Sequence, residues 1–364
     1  MESSAYLCKG VRGVAVYDLD RLSVFLIEDN AYVRTILANL LRQFRIGRVE
    51  TAANGAEAIE HFKKQAVSLE RVIPDVILSD LIMTPINGML VLRWIRTAKE
   101  SPNRFMPFIM LSGAADEDYV KGSRDLGVSE FLAKPFSAES VYLKILEVID
   151  RPRQFVTTTK YFGPDRRRQR EEWTAKERRL NQDKDVSVVY SATKVVKPTK
   201  PSDVWYFRLP NSLKEKAGGL GNSGVGEIPT ALLEEAETQL QRDALDFTDW
   251  ALDYLKKLSA LCQEALGKSG PRIKQFQEIN LMAHELRGQG GTFGYPLITV
   301  FAKMLFDVTY DGCREDDAAV EIVKAHIDAM RAVIREKIAG DGGEVGRALI
   351  QSLDTAIKKH SRAA

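Results

Sequence analysis

Five apolar runs alternate with segments of helical periodicity over the first 150 residues, and this alternation restricts the fold more than any other feature. Short, continuously apolar runs separated by amphipathic segments are typical of parallel strands that are covered on both faces. The expected class is therefore an α/β doubly wound, five-stranded parallel sheet. The predicted strands are residues 22–27, 48–52, 75–79, 107–111 and 130–133.

Polar residues stand at the carboxyl ends of four of these predicted strands. They are Glu28 and Asp29, Asp80, Ser112 and Lys134. Ligands of such sheets bind outside the carboxyl ends of the strands, so these side chains are expected to share one crevice. Three crowded carboxylates repel each other unless a cation neutralises them, and a hard divalent ion, most simply Mg²⁺, is expected. The simpler alternative is that they are ordinary loop residues.

Over residues 22–150 the sequence resembles the receiver domain of two-component response regulators, which has a flavodoxin-like fold. Besides the acidic pair, the resemblance rests on Asp-Leu-Ile-Met at 80–83 with Gly88 eight residues after the aspartate, Met-Leu-Ser-Gly-Ala at 110–114 and Phe-Leu-Ala-Lys-Pro-Phe at 131–136. Two residues of the loop after Asp80 depart from the family. Thr84 stands where proline is usual, and Asn87 where aspartate is usual.

The resemblance implies a role for each residue of this crevice. Asp80 is the expected phosphoryl acceptor, and it holds Mg²⁺ together with Glu28 and Asp29. Ser112 is expected to hydrogen-bond the phosphoryl oxygens, and Lys134 to pair with them. Elementary chemistry agrees, because phosphoryl transfer requires mainly positioning and neutralisation of charge on the equatorial oxygens.

The chain has 364 residues, enough for two or three domains. A hydrophobic share of 45% and a formal net charge of +2 are ordinary for a globular protein, and nucleic acid is an improbable partner on this balance. No apolar run reaches the roughly 18 residues of a membrane span. Residues 1–21, a predicted N-terminal extension, lack the apolar core of a secretory signal, so we expect a cytoplasmic protein without membrane insertion.

The three cysteines give no sign of a disulfide or a zinc site. Cys8, Cys262 and Cys313 are odd in number, far apart and without metal-ligand spacing. We expect them to be reduced thiols.

Residues 151–228 are predicted to be a basic, flexible linker that contains proline and glycine. Residues 151–200 hold 14 Lys and Arg against 6 Asp and Glu, and apolar periodicity is weak. A short helix is expected at 171–180 and an isolated strand at 204–210. The segment Tyr-Phe-Gly-Pro-Asp-Arg-Arg-Arg at 161–168 could bind phosphates or an acidic protein surface, but a solvated linker is favoured because no DNA-reading motif surrounds it.

Helical periodicity begins again near residue 229. Helices are predicted at 230–266, 271–291, 296–310, 316–339 and 344–359. Because their connections are short, we expect an all-α antiparallel helical bundle. The predicted domain covers residues 229–340, and a C-terminal helix and tail cover 341–364.

The second of these helices carries the motif Ala-His-Glu-Leu-Arg-Gly-Gln-Gly-Gly-Thr-Phe-Gly at 283–294, which resembles the signature of histidine phosphotransfer domains. Arg287, Gly288 and Gly294 follow His284 at the family's offsets of three, four and ten, whereas Gln289 replaces the usual small residue. The resemblance implies that His284 carries a phosphoryl group. On a helix Arg287 and Gly288 lie within about 60° of His284, so we expect an exposed imidazole beside a positive charge and open space. The alternative is a helix that simply ends near Gly290 and bears an ordinary surface histidine.

Two functional hypotheses follow. In the first, the protein is a phosphorelay component that accepts a phosphoryl group at Asp80 from a partner phosphohistidine and exchanges it through His284. Its expected partners are a sensor histidine kinase and other receiver or phosphotransfer proteins, because no kinase motif is visible. In the second, the protein is a non-catalytic response regulator whose phosphorylation controls docking of the helical domain or the linker onto a partner protein.

Overall fold

The computed structural model describes residues 17–67, 72–112, 126–134, 136–165, 187–189, 198–200, 203–207, 209–218, 226–267, 270–291, 293–310 and 312–362. The chain divides into two compact units. The first, called the receiver unit, consists of residues 1–133 and 137–237. The second, called the helical unit, consists of residues 134–136 and 238–364.

The receiver unit is built on a five-stranded sheet in which every neighbouring pair is parallel. The strand order is β2-β1-β3-β4-β5, which confirms the predicted five-stranded parallel sheet. The strands are β1 Ser23–Ile27, β2 Arg48–Ala52, β3 Val76–Asp80, β4 Phe108–Ser112 and β5 Glu130–Ala133. The helices described between and after them are α1 Ala31–Gln43, α2 Gly55–Val67, α3 Gly88–Thr97 and α4 Ala138–Asp150.

Local sequence accounts for where these elements begin and for what they bury. The side chain of Asn30 accepts hydrogen bonds from the second and third residues of α1, and Ser137 and Ser140 form a reciprocal capping box at the start of α4. All residues of β4 are buried, as expected for a central strand. The ends of β3 and β4 differ by one residue from the prediction, because Asp80 and Ser112 are the last residues of their strands.

A second sheet, of four very short strands, lies in the stretch that was predicted to be a linker. Its order is β7-β6-β9-β8. The strands are β6 Phe155–Thr157, β7 Phe162–Pro164, β8 Ser187–Val189 and β9 Trp205–Phe207. The prediction of a flexible linker is wrong for these segments, and the strand at 205–207 is paired on both sides rather than isolated. The helix predicted at 171–180 lies outside the described residues.

Four phenylalanines pack this sheet onto the receiver fold. Phe105, which precedes β4, has its ring centroid 5.0 to 5.2 Å from those of Phe155, Phe162 and Phe207. All four side chains are buried. Aromatic side chains of this size contribute a large share of the apolar area that a small sheet can bury.

Two arginines complete this contact. Arg96, the most deeply buried cation described, donates to the carbonyl oxygens of Gly127 and Arg104 at 3.1 and 2.8 Å, and its guanidinium lies 5.2 Å from the Phe155 ring. Arg104 donates back to the carbonyl of Arg96 and covers the Phe162 ring at 4.7 Å. Burial lowers the pKa of Arg96 to about 9, which still leaves its guanidinium charged at neutral pH.

The aromatic segment at 161–164 therefore has a packing role. The Tyr161 hydroxyl donates to the carbonyl of Pro164 at 2.8 Å. A Cβ atom on Gly163 would lie 2.8 Å from the Cα of Gly127, so only glycine permits this close approach. The arginines at 166–168 lie outside the described residues.

Residues 209–218 and Gly226 are also held within the receiver unit. Asp150, the last residue of α4, accepts hydrogen bonds from Tyr17, Lys214 and the backbone of Gly226. Lys214 lies on a short helix, α5 Ser212–Lys216. These contacts fix both ends of a segment that the sequence suggested to be a free connector.

The helical unit is mostly helical, as predicted. Its elements are α6 Thr230–Leu266, whose first residues belong to the receiver unit, α7 Ile273–Gln289, α8 Pro296–Val308, α9 Asp317–Arg335 and α10 Gly343–Arg362. Helix α8 packs against α7 and α9, and α9 also packs against α10. A closed antiparallel bundle stays a prediction. His326 on α9 is fully buried, and burial lowers its pKa.

Within the described part of the chain, no helix combines the length and the apolar character needed to cross a membrane.

Candidate functional site

Three carboxylates converge at the carboxyl ends of β1 and β3. Glu28, Asp29 and Asp80 each offer an oxygen, and these oxygens lie within 4.8 Å of one another. Glu28 is buried, whereas Asp29 and Asp80 are half-buried. The sheet explains the convergence, because β1 and β3 are direct neighbours and Ile27 is paired with Ser79. Glu28 follows Ile27 and Asp80 follows Ser79, so these two acidic residues lie side by side on neighbouring strands.

Hydrogen bonds orient this acidic cluster. Glu28 accepts from the backbone of Asn30 at 3.3 Å, and Asp80 accepts from the backbone of Leu81 at 2.8 Å. Arg34, on α1, donates to the carbonyl oxygens of Glu28 and Asp29 at 2.7 and 3.2 Å. Sequence reasoning missed Arg34. Its only signal is a cation in the first turn of the helix that follows the acidic pair.

Gly88 has a local reason for its place eight residues after Asp80. A Cβ atom at this position would overlap the backbone carbonyl oxygen of Asp80 and lie 2.9 Å from the sulfur of Met110. The backbone of Gly88 also donates to the carbonyl of Leu81 at 3.1 Å. The loop after β3 therefore closes tightly, and the peptide bond between Thr84 and Pro85 is cis.

Ser112 and Lys134 are brought to the same edge of the sheet by strand register. Asp80 is paired with Leu111, so Ser112 lies one residue further towards the carboxyl end of the neighbouring strand. Ser112 is paired with Ala133, the last residue of β5, and Lys134 follows directly. The backbone therefore carries all five predicted residues to the carboxyl edge of one sheet.

The acidic cluster fits a hard divalent cation. Carboxylate oxygens are the ligands that Mg²⁺ prefers, and Mg²⁺ is usually held by one or two carboxylates together with waters and phosphate oxygens. Three carboxylates at this separation would otherwise repel one another. Glu28, Asp29 and Asp80 are the residues that would hold the ion.

A second group of predicted residues, here called the histidine face, consists of His284, Arg287 and Gly288 on α7. All three are half-buried, whereas Met282 and Leu286 on the other side of the helix are buried. His284 was expected to be exposed and is half-buried, with the Phe306 ring of α8 5.7 Å from the imidazole. Among the described residues, no heavy atom outside the backbone of α7 lies within 4 Å of a Cβ built on Gly288, so the glycine leaves open space there.

The other glycines of the motif have different roles. Gly290 lies so close to α8 that a Cβ would be 2.6 Å from the Cβ of Ile298. Gly294 has a φ of +83°, which places it in a left-handed turn after the helix. The alternative interpretation, a helix ending near Gly290, is thus correct for the backbone but does not explain Gly288.

Glu285, next to His284 in the chain, is engaged with α6. The hydroxyl of Tyr254 donates to its carboxylate, and burial together with this hydrogen bond raises the pKa of Tyr254 well above its usual value. The carboxylate is thereby held on the helix pair rather than on the histidine face.

Comparison with known proteins identifies the receiver part of the chain. Residues 24–146 match the sequence profile described as response regulator receiver domain. The chemotaxis protein CheY of Bacillus subtilis (strain 168) is 25% identical over 128 residues, which cover 35% of this chain and 94% of CheY. The hybrid signal transduction histidine kinase D of Dictyostelium discoideum is 29% identical over 126 residues, 35% of this chain and 7% of the kinase. The probable transcriptional regulator ycf27 of Guillardia theta is 33% identical over 130 residues, 35% of this chain and 45% of the regulator.

These similarities define a receiver domain of two-component signalling and no more than that. The chain spans nearly all of CheY but less than half of the other two relatives. The profile match ends before β6 begins, so neither the second sheet nor the helical unit is part of it. The histidine phosphotransfer character of the helical unit stays a prediction.

Proposed function

We propose that the protein is a phosphorelay component that accepts a phosphoryl group on Asp80, with Mg²⁺, from the phosphohistidine of a partner such as a sensor histidine kinase. The observation that carries the proposal is the convergence of three carboxylates within 4.8 Å at the end of the sheet. Bound Mg²⁺ would neutralise charge on the phosphoryl oxygens. The receiver profile over residues 24–146 supports the same chemistry.

Each residue of the crevice has a different role in the phosphoryl-transfer step. An oxygen of the Asp80 carboxylate forms the new bond to phosphorus as the bond to the partner's imidazole nitrogen breaks, and that nitrogen keeps the electron pair. The hydrogen bond from Leu81 to Asp80 fixes one carboxylate oxygen and so orients the other. Ser112 and Lys134 donate to the phosphoryl oxygens, where charge must be stabilised.

Labelling with a small phosphodonor tests this acceptor step. The full chain is incubated with acetyl phosphate and Mg²⁺, and the product is examined by intact mass and by hydroxylamine, which cleaves an acyl phosphate. We expect one hydroxylamine-sensitive phosphoryl group that is absent when Mg²⁺ is chelated. A chain that gains label equally well without Mg²⁺, or that still gains label when Asp80 is replaced by asparagine, would refute the assignment.

The second part of the proposal is exchange between an aspartyl phosphate and His284. The open space at Gly288 and the guanidinium of Arg287, three residues after the histidine, support it. A neutral imidazole nitrogen can attack phosphorus near neutral pH while its proton leaves to solvent. The imidazole is half-buried and so is partly accessible.

Two full-length variants separate donor from acceptor. His284→Gln is phosphorylated at Asp80 with acetyl phosphate, desalted and mixed with Asp80→Asn, whose only proposed acceptor is His284. A phosphohistidine is stable in alkali, whereas an acyl phosphate is not. Alkali-stable label on the Asp80→Asn chain is expected, and its absence would remove His284 from the proposed function.

The alternative, a non-catalytic regulator, has one observation in its favour. The carboxylate of Glu237 on α6 accepts from the backbone of Ala138 at 3.0 Å, at the start of α4. Phosphorylation at the same edge of the sheet would then alter this hydrogen bond between Glu237 and Ala138. Partner capture that depends on Asp80 but not on His284 would favour this hypothesis.

A further inference from the structure

Phe306 on α8 lies against both polar side chains of the histidine face. Its ring centroid is 5.7 Å from that of His284, with 48° between the ring planes. The guanidinium carbon of Arg287 lies 5.3 Å from the same centroid. A guanidinium at this distance is attracted by the negative face of the ring. One aromatic side chain of the neighbouring helix thus contacts the imidazole and the guanidinium together.

Hydrogen bonds from Asn280 on α7 hold the backbone of Phe306 beside His284. Asn280, one turn before His284, donates to the carbonyl oxygen of Phe306 at 2.9 Å and to the hydroxyl of Thr309 at 3.0 Å. The Thr309 hydroxyl in turn donates to the carbonyl of Leu305 at 2.8 Å. The end of α8 is therefore tied to α7 directly beside the Phe306 ring.

A second attachment joins the two helices beyond the histidine face. The backbone of Gly291 donates to the hydroxyl of Thr299 at 2.8 Å, and Gly290 meets the first turn of α8 closely. The middle of α7 therefore meets the end of α8, and the end of α7 meets the first turn of α8, so the helices are antiparallel. With attachments on both sides of His284, the ring of Phe306 cannot slide along α7.

We infer that Phe306 is a positioning residue for phosphoryl transfer at His284, an inference that rests on the proposed exchange through this histidine. A free arginine side chain loses considerable rotamer entropy when it is fixed. Packing on the ring restricts Arg287 before the donor arrives, on the same side of the helix as the imidazole. The contact with the ring also restricts rotation of the imidazole. Such preorganisation acts on the transfer step rather than on binding of the donor.

In this step the histidine nitrogen forms a bond to phosphorus as the aspartyl oxygen–phosphorus bond of the donor breaks. The donor carboxylate leaves with the electron pair, and the imidazole proton goes to solvent. Phe306 touches none of the reacting atoms. Its effect is expected through Arg287 and His284 alone.

The test uses Asp80→Asn chains as acceptors and desalted, phosphorylated His284→Gln chains as donors, at increasing donor concentration. We expect Phe306→Leu to lower the limiting transfer rate constant by about three- to fivefold, the scale of one exposed cation–π contact, without changing the half-saturating donor concentration. Phe306→Tyr keeps the ring and should transfer at the native rate. Val300→Ala, which alters a 40% exposed side chain on the same helix, is the matched control.

Nuclear magnetic resonance of the imidazole protons gives a readout that does not depend on phosphate. These resonances should move in Phe306→Leu, which loses the ring current, and stay in place in Val300→Ala. Phe306→Met replaces Phe306→Leu if circular dichroism shows that the leucine variant is unfolded. Native transfer by folded Phe306→Leu would overturn the positioning role and leave the exchange intact. No transfer to any acceptor, including native Phe306, would overturn the exchange and the inference with it.

Discussion

The acidic cluster and the histidine face are positioned by different parts of the backbone. Glu28, Asp29 and Asp80 follow from strand register, since β1 and β3 are hydrogen-bonded neighbours. His284 and Arg287 lie on one helix, but what covers them is set by α8, which contributes Phe306. A motif at strand ends therefore specifies a nearly complete site. A motif on a helix specifies only which residues share a face.

The largest effect is expected at the register-defined site. Asp80→Asn removes the carboxylate oxygen that would attack phosphorus, so labelling by acetyl phosphate should fall to background, as measured by intact mass. Asp20→Asn is the matched control, because this exposed aspartate precedes β1 at the opposite edge of the sheet. Equal loss in both variants would show that the cluster is not a defined acceptor site.

The next effect concerns the extension of the receiver unit. Phe162→Ala removes a ring that lies 5.2 Å from Phe105 and 4.7 Å from the guanidinium of Arg104, and it should destabilise the unit by about 3 kcal/mol. Hydrogen exchange of peptides from β3 and β4 reports this unit separately from the helical one. Val67→Ala, at an 86% exposed side chain, should change it by less than about 0.5 kcal/mol. Equal protection from hydrogen exchange in both variants would mean that the second sheet does not stabilise the receiver unit, and would favour the interpretation of this segment as a flexible linker.

The same two regions show what the sequence could and could not predict. The 37-residue helix α6 was predicted at its observed limits, because its apolar residues recur over ten turns. Strand β6 and its pairing with β9 were missed, since three residues are too few for a pattern of alternation and the pairing joins residues about 50 positions apart. The burial of Arg96 could not be predicted, because in the sequence it resembles any basic residue in the last turn of a helix. Its hydrogen bond to the carbonyl oxygen of Arg104 and its contact with the Phe155 ring explain the burial.

Phe306 shows a similar limit within the helical unit. Its place on α8 is predictable from periodicity, but its contact with α7 depends on Asn280 and on the close approach at Gly290. Neither feature has a local signature, because both depend on which two helices meet. Sequence reasoning therefore found the histidine but not the side chain that covers it.

Gly290→Ala tests the close approach of the two helices. The new Cβ would lie 2.6 Å from the Cβ of Ile298 and 2.7 Å from the backbone of Thr299, so the helices must separate. Overpacking of this kind should lower the free energy of unfolding by about 1–3 kcal/mol, which is more than the stability gained from the higher helix propensity of alanine. Urea unfolding followed by far-ultraviolet circular dichroism measures the change. A stabilised variant would contradict the tight contact on which the placement of Phe306 depends.

Gly288→Ala should have the smallest effect on stability and the opposite sign. A Cβ here meets no heavy atom within 4 Å in the described part of the chain outside the helix's own backbone, and alanine in a helix is favoured over glycine by about 0.5–1 kcal/mol, so unfolding should require more urea. The added methyl group lies within about 60° of His284 on the side left for a donor. Transfer to His284 should therefore slow by about tenfold. This is less than the roughly 100-fold loss of rate expected when reacting groups are misplaced by about one ångström. Since no contact among the described residues requires glycine at this position, higher stability with unchanged transfer would mean that no partner approaches the histidine face from this side.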